Sequence, residues 1–546
     1  MTPETSLRRP AFAAAAFTFA LAPIVACGAS STSGEAAYAD SGGANGDGSG
    51  AGSTSGAGGA GTGTGTGTTP PEQHVESSFG APVATGRYVW IANPSSGRVA
   101  YIDATTLAIK IVDAGNAPTY LAAVPSKADE DVAVVLNVLS RDATVLRAKG
   151  GVLSTASLPV ASSGNGWAVS PDGRWATAWT DVRRVQSPDP IDGYQDVTVL
   201  DLRVGKEQAT PLTIGYRPLS MGYDAASKRA FAVTQDGVSI VDLGGSEPVV
   251  VKNVALGADP LEDASHRYVS ITPDGSYALV RREGQATVGV VSLDDGTRTE
   301  VVLPGPATDL ALSADGTQAV AVVREQGLVA LLPIPEIASD PEGFATFTVP
   351  DTTVGSVVLA SESPVGLLYT TAVPIPAITA FDSSAASPKP RSIKLRAPVL
   401  AVFPTADASH AIVLHDALQL EGGTKYVAAL SVVPVAQELP SKILGLEALP
   451  VSVAIAPAGH RALIATGDAT HPAYRLIVAS MPSQKLDVHT LASEPIAAGI
   501  VAGADRGFVA QRHPDGRITF VDFKTGGVRT LTGFELASQV VDGSTP

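Results

Sequence analysis

Cysteine is nearly absent: the chain has one in 546 residues, Cys27. No intramolecular disulfide can form, so stability must come from a buried core, and the chain is long enough to build one. Charge is sparse at 16 % of residues, and positive charge is sparser still: 37 Lys and Arg against 53 Asp and Glu give a net charge of −16. That sign excludes a phosphate-backbone binder and offers an anionic membrane surface nothing to attract. Reactive motifs are missing as well. There is no His-Glu-x-x-His, no Gly-x-Ser-x-Gly elbow and no phosphate-cradling Gly loop between a strand and a helix. Hence no catalytic residue, metal set or cofactor is assigned from the sequence.

What is present begins with the N-terminus. Arg8 and Arg9 precede an apolar run, Phe12 to Ala20, built almost wholly from Ala and Phe. A positive n-region, an apolar h-region and small residues before a cut describe a secretory signal peptide. Its end, Ile24-Val25-Ala26-Cys27, resembles a bacterial lipobox. The resemblance implies cleavage before Cys27, a diacylglyceryl group on its thiol and acylation of the new terminus. Two or three acyl chains anchor stably where one binds marginally. The alternatives are an ordinary secreted chain and a retained span, for which Pro10 to Ala26 is short against about 20 residues. Gly28 rather than Asp after the cysteine resembles an outer-membrane address under the enteric sorting rule.

Residues 28 to 77 are a Gly/Ser/Thr-rich stretch containing the tract Gly-Thr-Gly-Thr-Gly-Thr. With hardly an apolar anchor it cannot offset its own ordering entropy. It reads as a disordered tether with an r.m.s. reach of about 40 Å; a glycosylated stalk is the alternative. The expected organisation is therefore signal peptide 1–26, acylated Cys27 and tether 27–77, and a folded domain 78–546.

From Pro82 a phrase recurs: a short apolar strand, a Pro-Asp-Gly-like turn, then a second apolar strand. Clear copies run Trp167 to Thr177 around Pro171-Asp172-Gly173, Val269 to Leu279 around Pro273-Asp274-Gly275, and Leu310 to Val320 around Ala314-Asp315-Gly316. A third strand follows and often ends in Asp (Asp103, Asp201, Asp242, Asp522), then a turn and a fourth strand. Gly accepts φ > 0 and Asp bonds its own backbone, so Asp-Gly makes the tight reversal. The recurring Asp is expected to cap the turn after it. Ten second strands are counted, beginning near Tyr88, Val132, Trp175, Ala230, Tyr277, Ala319, Leu367, Ala411, Ala462 and Phe508.

Four strands in about 46 residues is the arithmetic of a β-propeller blade. The fold class is all-β: a propeller of about 7–10 four-stranded repeats, in one ring or two. The pattern resembles the YVTN-type, WD-like propeller repeats of bacterial surface and periplasmic proteins, with Tyr88-Val89-Trp90-Ile91-Ala92-Asn93 standing where that family writes Tyr-Val-Thr-Asn. The Gly-His and Trp-Asp pairs of true WD repeats are missing. Members of the family act as surface antigens, scaffolds, lactonase-like enzymes and sensors, so the resemblance fixes no activity. The segment Phe534 to Val541 sits where a first strand belongs. It is expected to complete the N-terminal blade and close one ring, so that truncation after Thr530 destabilises the whole domain.

Three places could hold chemistry. His410 and His415, five apart on one strand, point to opposite faces; His410 and His460 follow equivalent turns and could share a rim. The longest insertion, 183–196, carries Arg183, Arg184, Asp189, Asp192 and Asp196. It is read as a partner-contact loop, with calcium as the alternative although the spacing departs from a calcium loop. Four tryptophans (Trp90, Trp167, Trp175, Trp179) are fewer than a quinone-stacking propeller would carry. The sequence thus leads to a non-enzymatic binding scaffold. It would be lipid-anchored to the cell envelope, periplasmic or surface-facing, with an envelope protein or glycan as partner. A lactonase-like or other sugar-acid hydrolase using the funnel is the alternative.

Overall fold

The computed structural model describes residues 81–533, apart from 128, 162–163, 186–188, 190, 260–261, 351 and 420–424, together with the strand Gln539–Val540. The lipobox, Cys27 and the whole tether lie outside the described residues. Ten antiparallel sheets of four strands follow one another around a ring, making a ten-bladed β-propeller. We number the blades in chain order: 1 (83–113), 2 (118–159), 3 (166–213), 4 (218–254), 5 (267–302), 6 (309–348), 7 (356–394), 8 (399–446), 9 (450–490) and 10 (495–532). All ten second strands begin within two residues of the expected positions.

Burial explains the two strand textures. The second and third strands are covered on both faces by neighbouring blades, so Tyr88–Asn93 and Trp175–Trp179 are buried throughout and read as continuous apolar runs. Fourth strands lie at the perimeter and alternate with solvent, as in Lys485–Thr490. Most apolar clusters span two adjacent blades; one joins Leu279, Val288 and Val290 of blade 5 to Ala319, Ala321 and Val323 of blade 6.

The turns are built as the motif requires. In blade 3, Ser170 Oγ donates to Asp172 Oδ1 at 2.7 Å, and the same carboxylate oxygen accepts from the Arg174 amide at 3.0 Å. Thr272–Asp274, Ser313–Asp315 and Thr405–Asp407 repeat the pair at 2.6 Å each. In blade 8, Ala408 stands at the glycine position with φ 55°, so the turn survives where the sequence has lost its glycine. The third-strand aspartates cap as expected. Asp103 Oδ1 accepts from the Thr105 and Thr106 amides, and Asp522 Oδ1 from those of Lys524 and Thr525.

Closure differs from expectation. The innermost strand of blade 1 is Val83–Ala84, paired with Trp90 and Val89. The C-terminal segment does not take that place. Gln539–Val540 instead runs parallel to Ile109–Asp113, as a fifth strand on the outer edge; residues 534–538 and 541 lie outside the described residues. A two-residue inner strand carries too little apolar pattern to be seen in sequence, which left the position apparently vacant. What joins the two ends of the ring is face packing: Val89, Ile91 and Ile102 of blade 1 share a cluster with Val501, Phe508, Ile518 and Phe520 of blade 10. Arg506 Nη1 adds a hydrogen bond to the Ala104 carbonyl at 2.6 Å.

Candidate functional site

First strands are the innermost of each blade, and most neighbouring pairs of them, such as those of blades 1 and 2, 6 and 7, and 10 and 1, lie in contact, so their free sides form the wall of the central channel. Among the ten first strands only Arg267 and Asp309 are charged. The exposed wall positions include Ser220, Gly222, Tyr268 and Leu400. The wall is apolar and hydroxyl-bearing.

Both charges sit at the blade 4–7 rim. Arg267 Nη2 donates to the carbonyls of Thr234 (2.8 Å) and Gln235 (3.0 Å) in blade 4, while Glu262, from the loop between the blades, holds both Arg267 and Arg282. Asp309 accepts from its neighbour's amide at Leu310 and from Val357 of blade 7, each at 2.9 Å. Burial pushes the Asp309 carboxyl above its usual range, opposed by those two amides and by Arg281. Arg281 stacks over Tyr268 at 4.1 Å and donates to the Ala307 carbonyl at 3.2 Å. Apart from the Leu310 amide, the hydrogen-bond partners of these charges lie in neighbouring blades or in connections, so the cluster ties the inner rim together. No sequence motif marks it: a lone Asp and a lone Arg opening short apolar strands look like ordinary strand starts.

In the insertion after blade 3's second strand, polar groups of the described residues bond to one another and to nearby backbone. Asp181, buried and unremarked in the sequence, caps the 3₁₀ turn Val182–Arg184 and pairs with Arg183 (2.9 Å) and Arg184 (3.5 Å). Arg183 Nη2 also reaches the Leu219 carbonyl at 2.5 Å. Asp189 and Asp192 each accept from the amide two residues on, Ile191 and Tyr194, at 2.9 Å. Asp196 opens the third strand opposite Thr213, at the perimeter. The two arginines are brought together; the three carboxylates are not. Among the described residues no three His, Cys, Asp or Glu side chains gather as metal ligands.

The histidines separate as their spacing requires. His415 is fully buried in blade 8, with Nδ1 3.0 Å from the Pro398 carbonyl and Nε2 2.7 Å from Ser431 Oγ. A carbonyl only accepts, so Nδ1 carries the proton and Ser431 donates to Nε2. Burial pushes the pKa of His415 down, against the Pro398 and Ala397 contacts. The sign follows directly. An unfolded histidine takes a proton near pH 6.5 that the folded site refuses, so stability is whole above about 6.5 and falls with pH toward the lower folded value. Thermal melts from pH 8 to 5.5 should therefore slope by up to about 1.4 kcal/mol per pH unit below 6.5. His415→Gln, less stable at pH 8, should show a shallower slope; an unchanged slope would assign the effect elsewhere.

No protein-family model matches the chain, and no curated protein matches it. Solved structures with a similar arrangement include a eukaryotic initiation factor, at 11 % identity, 77 % of this chain, 97 % of that chain and TM-score 0.48. The dihydro-heme d1 dehydrogenase NirN is similar at 16 % identity, 78 % of this chain, 76 % of that chain and TM-score 0.41. U3-55K follows at 10 % identity, 54 % of this chain, 87 % of that chain and TM-score 0.34. The class defined by the sheets themselves is a repeat β-propeller.

Proposed function

We propose that the protein is a lipid-anchored β-propeller of the bacterial cell envelope acting as a non-enzymatic binding scaffold. Cys27 would carry the lipid and residues 28–77 would hold the propeller clear of the headgroups, facing the periplasm or the surface, with the outer membrane as the anchor favoured by Gly28. The observation that carries the reading is the channel wall, whose two charged residues, Arg267 and Asp309, are both engaged in hydrogen bonds to blade connections and neighbouring blades. A YVTN-type or lactonase-like member that hydrolyses a sugar acid would need free carboxylates or histidines in that funnel. Arg183, Arg184, Asp189 and Asp192 of the insertion are exposed, and a loop of this kind would be the place for a partner contact.

Crosslinking in intact cells followed by mass spectrometry tests this. A stoichiometric envelope protein, lost when Cys27→Ala removes the acylation site, is the expected result. Retention of that partner by the unacylated form would separate binding from anchoring. A chain that captures nothing and hydrolyses lactones would replace the scaffold with the enzyme.

A further inference from the structure

The outer edges of the blades are not alike. An open edge strand presents unpaired amides and carbonyls, and proteins guard it with charge, proline, bulges, short length or a cover. Blade 1 is covered by Gln539–Val540. The fourth strands of blades 5, 8, 9 and 10 carry lysine or arginine, that of blade 3 has Pro211 at its centre, and those of blades 6 and 7 are four residues long. Blade 4 has a bulge beside Lys252. Blade 2 alone has none of these. Its fourth strand, Val152–Pro159, is eight residues without a charge, in unbroken register with Asp142–Lys149, and its one proline ends it.

Beside that edge lies an open groove at the junction with blade 3. Pro159, Val160 and Ala161 form one side, Ala209, Pro211 and Leu212 the other. Asp196 is the one charged residue lining it, exposed at the start of its strand. We infer that the blade 2 edge is a β-augmentation site for an extended segment of a partner protein. Main-chain hydrogen bonds would give affinity and alternate side chains would enter the groove. The segment's chemistry follows from the lining: proline-free, with small or branched apolar residues at alternate positions and a basic residue to meet Asp196. Blade 1 gives the precedent, since its equivalent edge accepts an extended strand. The inference rests on the binding reading and places the partner at the perimeter.

The test uses the full chain in cells with a photoreactive residue at Ser154, and at Ser392 on blade 7 as control. The expected result is a crosslink from Ser154 only, mapped to one proline-free, alternating apolar segment of one partner. Its yield should drop at least about tenfold in Ser157→Lys and Thr155→Lys, charged guards on the same edge. Both positions reach solvent, and unchanged melting would confirm folding. A crosslink to a second copy, one that persists in both lysine variants, or one scattered over many proteins overturns the inference. If Ser154 yields nothing while whole-cell crosslinking still captures a partner, the site is wrong and the scaffold stands; if neither captures one, both fall.

Discussion

Gly173→Ala should lower stability by about 3–5 kcal/mol, whereas Gly205→Ala, at nearly the same backbone angle, should lower it by only about 1–2 kcal/mol. Both glycines are left-handed, φ 70° and 72°, so both substitutions carry the strain of a side chain at positive φ. They differ in what a Cβ would meet. At Gly205 nothing lies within 4 Å; at Gly173 the Cβ would stand 1.8 Å from the Pro125 carbonyl oxygen of blade 2. That obstacle is backbone and cannot swing aside, so the blade 2–3 seam itself must open. Thermal melts of the two variants check the claim, and equal losses would mean the seam yields without cost.

The same comparison explains why the turn motif recurs. Gly275 would place a Cβ 2.3 Å from Phe231 of the preceding blade, and Gly316 2.5 Å from Pro273. The turn glycine therefore meets two demands: a left-handed angle and close approach of one blade to the last. A feature bound to both local geometry and the blade-to-blade repeat is legible from sequence, and it allowed all ten second strands to be counted. Where one demand relaxes the motif decays, as at Ala408, yet the Thr405–Asp407 pair still builds the turn.

The parts that could not be read share a different physics. Asp309 draws its partners from a strand 48 residues away, and Arg267 from the preceding blade; nothing local distinguishes them from other polar residues that open strands. Asp181 stands just ahead of the insertion with no motif to mark it, yet it is buried and organises Arg183 and Arg184. The insertion was recognised from its charges, but its carboxylates bond neighbouring amides rather than one another, a choice settled by loop geometry. The unguarded edge of blade 2 was equally invisible. It becomes evident only when ten equivalent strands can be compared at the perimeter.

Closure of the ring yields the other large effect. Phe520→Ala should cost about 3–5 kcal/mol, and truncation after Gly533 should cost well under half of that. Phe520 and Phe508 are almost fully buried, 6.3 Å apart between ring centroids, in the cluster that blade 10 shares with blade 1. Removing the Phe520 ring leaves a cavity at the one seam that chain connectivity does not hold, where blade 1 and blade 10 meet through the shared apolar cluster, Arg506's bond to Ala104 and the close approach of Gly503 to the Gly86 backbone. Truncation, by contrast, removes an outer strand paired at Lys110 and Ile111, while the inner strand Val83–Ala84 stays in place. Melting of the two variants beside the parent decides between closure by packing and closure by strand exchange. Should the truncated chain melt lower than Phe520→Ala, the C-terminal segment is the clasp and the shared cluster its consequence. With the expected order, the ring closes as its other nine seams do, by apolar faces pressed together, and the tail serves the edge of blade 1.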